Sequence, residues 1–281
     1  MSSTSSAVDT SDVVITAEQL RDQLHSGRPV VILEVRREPS DEEESSESRL
    51  PGAQLVTLTT ELVGPRTADS GDFPLPTEDQ IQDAVRRWGI DDDTLVVVYS
   101  REAPALASRA WWTLRWAGVP DVRYLDGGLP AWIAIGGEVS SEVPAIRKGS
   151  FTVAPGSLPV LSTEAAGALA RSGVLLDARD DARYSGHPEG GHIPGARSLP
   201  ASRNLGADGL LKSEEELRTA YEAAGLNEQA QWGAYCGGGT AATLNVLALA
   251  RLGITAALYP GSFSAWSSDP SRPVAKGNEP G

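Results

Sequence analysis

The chain is poor in the residues that hold small extracellular or metal-binding folds together. It contains a single cysteine, Cys236, so no disulfide can form within it. Its three histidines do not stand at the spacing that a Cys/His zinc site requires. Long apolar runs are missing as well, and none approaches the roughly 20 residues of a membrane helix. We therefore expect a chain without a metal site, an organic cofactor, a disulfide or a membrane span.

The charge balance excludes a further class of protein. The formal net charge is -14 at pH 7, and no basic stripe is visible, which argues against a nucleic-acid partner. Residues 1–12 are polar and lack the basic and apolar regions of an export signal. This pattern predicts a disordered N-terminus on a soluble, cytoplasmic protein. The acidic run 41–48 is predicted to be a solvated, mobile loop, because its charge density cannot be buried.

The sequence contains two copies of one pattern. Corresponding residues recur in the same order along the two halves: Glu34 with Asp177, Arg36 with Arg179, Pro51 with Pro194, Ser100 with Cys236, and Trp132 with Trp266. Because there are only two copies, and each is longer than 100 residues, the unit is a whole domain rather than a solenoid repeat. We predict a first domain at 13–143, a linker at 144–159 and a second domain at 160–277.

Each half alternates short β-branched runs with helical patterns. Strands are predicted at 30–35, 95–99, 122–125, 174–177, 233–235 and 256–259, and helices at 77–88, 107–116, 213–224 and 241–251. The helices at 77–88 and 213–224 open on capping boxes and end at glycine. Strands that alternate with helices favour an α/β fold, with a mainly parallel sheet flanked by helices in each domain.

Cys236 stands where such a fold places its ligand sites. It follows a predicted strand and precedes Gly237, Gly238, Gly239, Thr240 and Ala241, after which an apolar helix begins. The carboxyl ends of parallel strands carry the sites of open α/β sheets. Glycines let the backbone turn its N–H groups inward, and those donors stabilise a thiolate or persulfide anion.

At these residues the sequence resembles the tandem-domain rhodanese family. The resemblance rests on Asp-Ala-Arg at 177–179, Gly-His-Ile-Pro-Gly-Ala at 191–196, the loop 235–241 and the ending at 259–277, and it covers nearly the whole chain. It implies two rhodanese-like domains and one catalytic cysteine, Cys236, in the second. It implies sulfur transfer from a small anionic donor, thiosulfate or 3-mercaptopyruvate, to cyanide or a thiol, including a protein thiol.

The resemblance also implies a substrate site around the cysteine. Residues 237–241 form the loop that holds the transferred sulfur, and Arg183 matches the arginine that faces the donor's anionic group. Gly238 and Arg49 stand where mercaptopyruvate enzymes place a serine and a histidine of a proton relay. The preferred donor therefore stays open. Arg49 is a candidate for added positive charge at the interdomain cleft, and its other interpretation is an exposed loop arginine. Arg183 has a second interpretation, a surface salt bridge to Asp180 or Asp181.

Several other residues are assigned structural roles. His192 is interpreted as part of a structural turn rather than a general base, and Asp177 and Arg179 as an ion pair or cap after the strand. Four tryptophans at helical spacing are expected to pack in the core or between the domains: Trp88, Trp111, Trp112 and Trp116.

Two functions other than a sulfurtransferase are compatible with a rhodanese-like fold. A rhodanese-fold phosphatase needs an arginine six residues after its cysteine, and Ala242 stands there. A carrier or partner-binding module that relays sulfur without turnover is not distinguished from an enzyme by sequence.

The first domain is predicted to be catalytically silent. Ser100 occupies the cysteine position there, and a serine hydroxyl is too weakly acidic to carry sulfur. We expect Ser100→Ala to leave sulfur-transfer turnover within about twofold, because a loop hydroxyl off the reaction path contributes little. Steady-state assays with cyanide as acceptor test this. A loss of about a hundredfold or more would mean that the chemistry has been assigned to the wrong half of the chain.

Overall fold

The structure is a computed structural model that describes residues 13–38, 47–67, 69–187, 190–225 and 230–281. The predicted disordered start at 1–12 and positions 41–46 of the acidic run lie outside the described residues. Glu47, near the end of that run, is described, and its carboxylate accepts hydrogen bonds from Arg36 and Arg101.

The first half of the chain forms a five-stranded parallel sheet with helices around it. In chain order its elements are β1 (Val14–Ile15), α1 (Ala17–His25), β2 (Val30–Arg36), β3 (Ala53–Thr57), α2 (Leu58–Glu61), α3 (Glu78–Arg87), β4 (Leu95–Tyr99), α4 (Pro104–Trp116), β5 (Val122–Leu125) and α5 (Gly128–Ala134). The strand order is β1-β5-β4-β2-β3, and each neighbouring pair is parallel.

The second half forms a four-stranded parallel sheet of the same kind. Its elements are α6 (Thr163–Ser172), β6 (Val174–Asp177), α7 (Asp181–Ser185), β7 (Arg197–Ser198), a 3-10 turn (Ala201–Asn204), α8 (Glu214–Ala223), β8 (Trp232–Tyr235), α9 (Ala242–Arg251), β9 (Ala256–Leu258) and α10 (Ser262–Ser268). The strand order is β7-β6-β8-β9. The predicted α/β architecture with two mainly parallel sheets is confirmed.

The central strands are apolar on both faces because helices cover both sides of each sheet. All residues of β4, β6 and β8 are buried. Such strands show no polar alternation, which is typical of parallel sheets. Among the described residues, no helix has the length and hydropathy needed to cross a membrane.

The capping signals locate two helices to within a residue. Thr77 and Ser213 each accept a hydrogen bond from the backbone three residues on, and Gln80 and Glu216 complete the two capping boxes. Both predictions are confirmed. The predicted helix at 107–116 begins earlier, at Pro104, because proline at the first helical position has a preset φ and needs no hydrogen-bond acceptor. Helices α1 and α6 were not predicted.

The duplication is visible in buried side-chain contacts. In the first domain the backbone N–H of Leu50 donates to Tyr99 Oη at 3.3 Å, and in the second the N–H of Ile193 donates to Tyr235 Oη at 3.1 Å. Each tyrosine ends the central strand of its sheet. The same tertiary contact therefore holds the residue before the Pro-Gly pair in both domains, Leu50 in the first and Ile193 in the second.

The ion pairs of the two copies also correspond. Arg36 donates to Glu34 and Arg179 to Asp177, and all four side chains are buried. Burial opposes ionisation of Glu34, but hydrogen bonds from Arg101 and Tyr99 outweigh it and lower the pKa of the carboxyl.

The two domains are joined by packing between α4 and α9. Ser108 Oγ and Thr243 Oγ1 share a buried hydrogen bond of 2.8 Å across this contact. Residues of both helices belong to one continuous apolar core. Trp111 and Trp112 of α4 are buried in it, and Trp116 stacks on Trp112, as expected for packing tryptophans.

The segment predicted as a linker, 144–159, follows the surface of the first domain. The backbone N–H of Phe151 donates to Ile90 O at 3.1 Å, and that of Ala154 donates to Ala117 O at 2.8 Å. Gln82 of α3 also bonds to the backbone of Phe151. Part of the connection between the sheets is thus bound to the helices of the first domain.

Removing the Tyr99 hydroxyl is expected to destabilise the fold. Tyr99→Phe leaves the buried N–H of Leu50 without its acceptor and removes one donor from Glu34. A buried donor without a partner costs about 1–3 kcal/mol. Urea denaturation should show a lower unfolding midpoint. Val143→Ala, at a side chain that is 80% exposed, is the control; equal midpoints for the two variants would contradict the assigned contact.

Candidate functional site

Cys236 lies at the carboxyl end of β8, between two neighbouring strands of the second sheet, and directly before the turn into α9. Its residue surface is only 3% exposed. The cysteine is free. The site is therefore a buried thiol at the edge where parallel α/β sheets bind ligands.

The loop after Cys236 presents backbone donors to the sulfur. The N–H of Gly239 donates to Cys236 Sγ at 3.1 Å. In the part of the chain that the structure describes, nothing accepts a hydrogen bond from the N–H groups of Gly237, Gly238, Thr240 or Ala241. Consecutive backbone amides that have no internal acceptor can form an anion-binding concavity. The loop can thus bind a negative charge on or near the sulfur.

Two of the loop glycines are needed for different reasons. Gly239 has φ +96°, and a Cβ atom there would lie 2.3 Å from Pro260 O, so no other residue fits. A Cβ atom at Gly237 would meet nothing within 4 Å, which shows that the loop is open on that side. A donor can approach from the side of Gly237.

Residues 259–264 brace the loop from behind. Ser262 Oγ accepts the N–H of Cys236 at 3.1 Å, donates to Tyr259 O at 3.0 Å and lies 4.0 Å from Cys236 Sγ. Ser262 has φ +55°, an uncommon value for a residue other than glycine. The N–H of Phe263 donates to Cys236 O at 2.9 Å. This strained turn fixes the cysteine backbone.

A loop of the first domain covers the cysteine loop. A Cβ atom at Gly238 would lie 2.9 Å from Asp72 Cβ and 3.0 Å from Phe73 Cδ2. The N–H of Asp72 donates to Ser264 Oγ, and the Asp72 carboxylate pairs with Arg66. The first domain therefore forms part of the wall around Cys236 although it has no cysteine of its own.

Arg109 of α4 lies beneath the same loop and is completely buried. Its Nη1 donates to Gly239 O at 2.8 Å, and its Nη2 donates to Phe73 O at 3.2 Å and to Pro74 O at 3.3 Å. Burial lowers the pKa of Arg109 to about 10, while negative charge on Cys236 acts in the opposite direction. This residue was not predicted from the sequence.

The two predicted arginines occupy different environments. Arg183 lies on α7, its side chain is 71% exposed, and its Nε is 3.5 Å from Asp180 Oδ2. Arg49 is only 2% exposed, and its backbone pairs with Ser140. Arg49 lines a depression with Gln54 and Trp88 of the first domain. These contacts of Arg49 lie outside the cysteine loop.

His192 and the second ion pair have the structural roles expected of them. His192 is buried, stacks on Tyr184 and has its ring nitrogens near the carbonyls of Tyr184 and Pro280. Arg179 pairs with Asp177 at 2.5 Å and stacks on the ring of Phe263. The pair thus supports the turn that braces Cys236.

The corresponding loop of the first domain is already occupied by its own side chains. Ser100 Oγ accepts hydrogen bonds from the N–H groups of Glu102 and Ala103. Arg101 folds back onto Glu34 through Nε at 2.7 Å and Nη2 at 3.2 Å. Two N–H groups of this loop are therefore bound by the Ser100 side chain, and the Arg101 side chain is bound to Glu34 of the same domain.

Arg109, Asp72 and Ser262 were missed by sequence reasoning. For Arg109 a signal existed, because a charged residue within the apolar helix 104–116 is unusual. For Asp72 and Ser262 no local signal exists, since their roles arise from contacts across the fold. Within the described residues no group of three or more His, Cys, Asp or Glu side chains is placed to hold a metal.

A cavity of about 660 Å³ lies between the domains, and Pro260 forms part of its wall. Its walls include Asp69, Thr163 and Arg272 but not Cys236. Arg272 pairs there with Glu164. Among the described residues, Cys236 and the loop amides without an acceptor lie at the loop rather than in the wall of this cavity.

Comparison with known proteins supports the assignment of the two domains to one family. The model of the rhodanese-like domain matches residues 16–135 and 162–269. A putative thiosulfate sulfurtransferase of Mycobacterium tuberculosis, SseB, is 41% identical over 94% of this chain and 97% of its own length. A probable 3-mercaptopyruvate sulfurtransferase of Pseudomonas aeruginosa is 36% identical over 94% of this chain and 98% of its own length.

A solved structure agrees with these relatives. The crystal structure of SseA from Escherichia coli, described as a 3-mercaptopyruvate sulfotransferase, has a TM-score of 0.76 and 26% identity to this chain. The similarity covers 89% of this chain and 98% of SseA.

Proposed function

This chain belongs to the rhodanese-like domain family and is a sulfurtransferase, and we propose that Cys236 carries the transferred sulfur as a persulfide. The observation that carries the proposal is the set of backbone N–H groups in the loop after Cys236. The N–H of Gly239 binds Cys236 Sγ, and the neighbouring N–H groups of the loop have no acceptor among the described residues.

The first half-reaction loads the cysteine. The Cys236 thiolate attacks the outer sulfur of the donor, so that a new S–S bond forms. With thiosulfate the donor's S–S bond breaks and sulfite leaves; with 3-mercaptopyruvate the C–S bond breaks, and the enolate that leaves takes up a proton to give pyruvate. The amides of residues 237–241 stabilise the negative charge on the persulfide.

The second half-reaction unloads it. A thiophilic acceptor attacks the terminal sulfur, the S–S bond breaks, and the electron pair returns to Cys236 as thiolate. With cyanide the product is thiocyanate. Because the chain has no second cysteine, a thiol that acts as acceptor must come from another molecule. The protein thus requires a small anionic donor and an external acceptor.

We propose that both thiosulfate and 3-mercaptopyruvate serve as donors. The relatives carry the names of both activities. Gly238 provides no hydroxyl for a proton relay, and Asp72 lies where the side chain of a larger residue at 238 would point. Arg183 is solvent-exposed on α7, which follows β6, the neighbour of β8, and the donor's anionic group can compete with Asp180 for its guanidinium.

Loading of Cys236 can be measured directly. We expect the reduced protein to gain one sulfur atom, about 32 Da by intact mass, when it is incubated with a competent donor, and to lose it to cyanide. Cys236→Ser should gain nothing. The Ser100→Ala variant is the matched control and should load like the wild type, because its hydroxyl belongs to the silent loop. A Cys236→Ser protein that still acquired the sulfur would contradict the proposal.

Thiocyanate formation over many rounds separates an enzyme from a carrier module. An enzyme should turn over many times with cyanide and either donor, whereas a carrier should load once and release its sulfur only to a partner protein. We expect multiple turnover. A single round of loading without continued thiocyanate formation would favour the carrier.

Arg183 is expected to contribute to donor binding. Loss of a bidentate, charge-assisted contact to an anion should lower kcat/KM about 30- to 1000-fold for the preferred donor in Arg183→Ala. Arg203 also carries an exposed ion pair, to Asp181, and Arg203→Ala should stay within about twofold. Changes below about threefold for Arg183→Ala with both donors would show that Arg183 is only a surface residue paired with Asp180.

A further inference from the structure

Arg109 is a buried cation whose charge has no carboxylate partner. Its residue surface is 0% exposed, and among the described residues no Asp or Glu forms an ion pair with it. Its Nε is buried without a hydrogen-bond partner in the described structure. Buried charges are usually paired, since loss of water is costly for an ion. A guanidinium held only by neutral carbonyls therefore calls for a nearby anion.

Cys236 is the group that can supply this anion. Arg109 Nη1 binds the carbonyl of Gly239, whose own N–H binds Cys236 Sγ. Negative charge on Cys236 is also the interaction that raises the pKa of Arg109 against the effect of burial. A thiolate or a persulfide on Cys236 thus neutralises a charge that is otherwise unpaired.

The other charged groups around the loop are either paired or exposed, and Arg37, whose guanidinium lies over the Phe73 ring, is exposed. Asp72, on the first-domain loop beside Gly238, pairs with Arg66, and both side chains are partly exposed. Arg179, which stacks on Phe263 behind the cysteine, pairs with Asp177. Among these described groups, Arg109 is the cation that is both buried and without an ion pair. Its charge is therefore the one that can act on the sulfur.

We propose that Arg109, contributed by the silent first domain, is the positioning residue of the cysteine loop and the counter-charge of the anionic sulfur on Cys236. It clamps the Gly239 carbonyl against the first-domain carbonyls of Phe73 and Pro74. It also creates a positive potential into which an anionic donor moves. The inference rests on the proposed function of Cys236 and assigns to the first domain a part in the chemistry of the second.

Alkylation of Cys236 tests the charge separately from the sulfur chemistry. The thiolate displaces iodide from iodoacetamide, which is neutral, or from iodoacetate, which is an anion of similar size. Any change in the amount or accessibility of the thiolate affects both rates, whereas a local positive charge favours iodoacetate. We expect Arg109→Gln to lower the iodoacetate-to-iodoacetamide rate ratio about fivefold or more, because a buried charge acts in a low dielectric.

Two further variants separate the charge from the packing. Arg109→Lys keeps the charge and should recover most of the rate ratio. A lysine cannot bond all three carbonyls that Arg109 holds, so both alkylation reactions should still be slower than in the wild type. Ser108→Ala removes the neighbouring interdomain hydrogen bond to Thr243 without changing the charge, and its ratio should equal that of the wild type. An Arg109→Gln protein that is folded and shows the wild-type ratio overturns the proposal.

A measurement on the wild type keeps the test decisive if Arg109→Gln does not fold. The field of a buried charge is screened weakly by salt, whereas that of exposed arginines such as Arg66 and Arg183 is largely screened at about 1 M. The preference for iodoacetate should therefore persist at high salt, and its disappearance overturns the proposal. Because alkylation needs no sulfur donor, a failure of Cys236 to form a persulfide would leave this result unaffected and would count against the proposed function alone.

Discussion

The packing of α4 against α9 is the contact on which the rest of the structure depends. It joins the two sheets into one apolar core, and it is sealed by the hydrogen bond between Ser108 and Thr243. The helix that follows Cys236 is thereby held against the helix that carries Arg109. Without this contact the cysteine loop would have neither its buried cation nor the first-domain loop that covers Gly238.

Under the proposed function, this arrangement gives the first domain, which has no cysteine, a structural role beside the second. The first domain binds two of its own loop amides through Ser100, and Arg101 of the same loop binds Glu34. Its contribution lies at the domain contact, where Phe73 and Pro74 share the guanidinium of Arg109 with Gly239. Of the two corresponding loops, one thus holds the cysteine, and the other belongs to the domain that packs against it.

The electrostatics of the site combine neutral donors with one charge. The N–H of Gly239 points at the sulfur, and glycine permits the backbone geometry at 239, where a side chain would meet Pro260. Amide dipoles stabilise an anion without themselves needing a counter-ion. Arg109 adds a full charge from below, and the strained turn at Ser262 keeps the cysteine backbone in place.

Sequence alone predicted the repeat, the α/β class, two helix starts and the position of Cys236 in a glycine-rich loop. These features are local: a capping box such as Thr77 with Gln80, or a cysteine between a strand and a helix, is written within a few residues. The domain limits and the role of Arg183 stay predictions. The surroundings of the sulfur depend on the tertiary structure, because the residues that form them are far apart in the sequence. Arg109 contacts Gly239, which lies 130 positions later in the chain, and Asp72 contacts Ser264, 192 positions later. Contacts of that separation depend on how two helices and two loops pack, and no local pattern of residues encodes them.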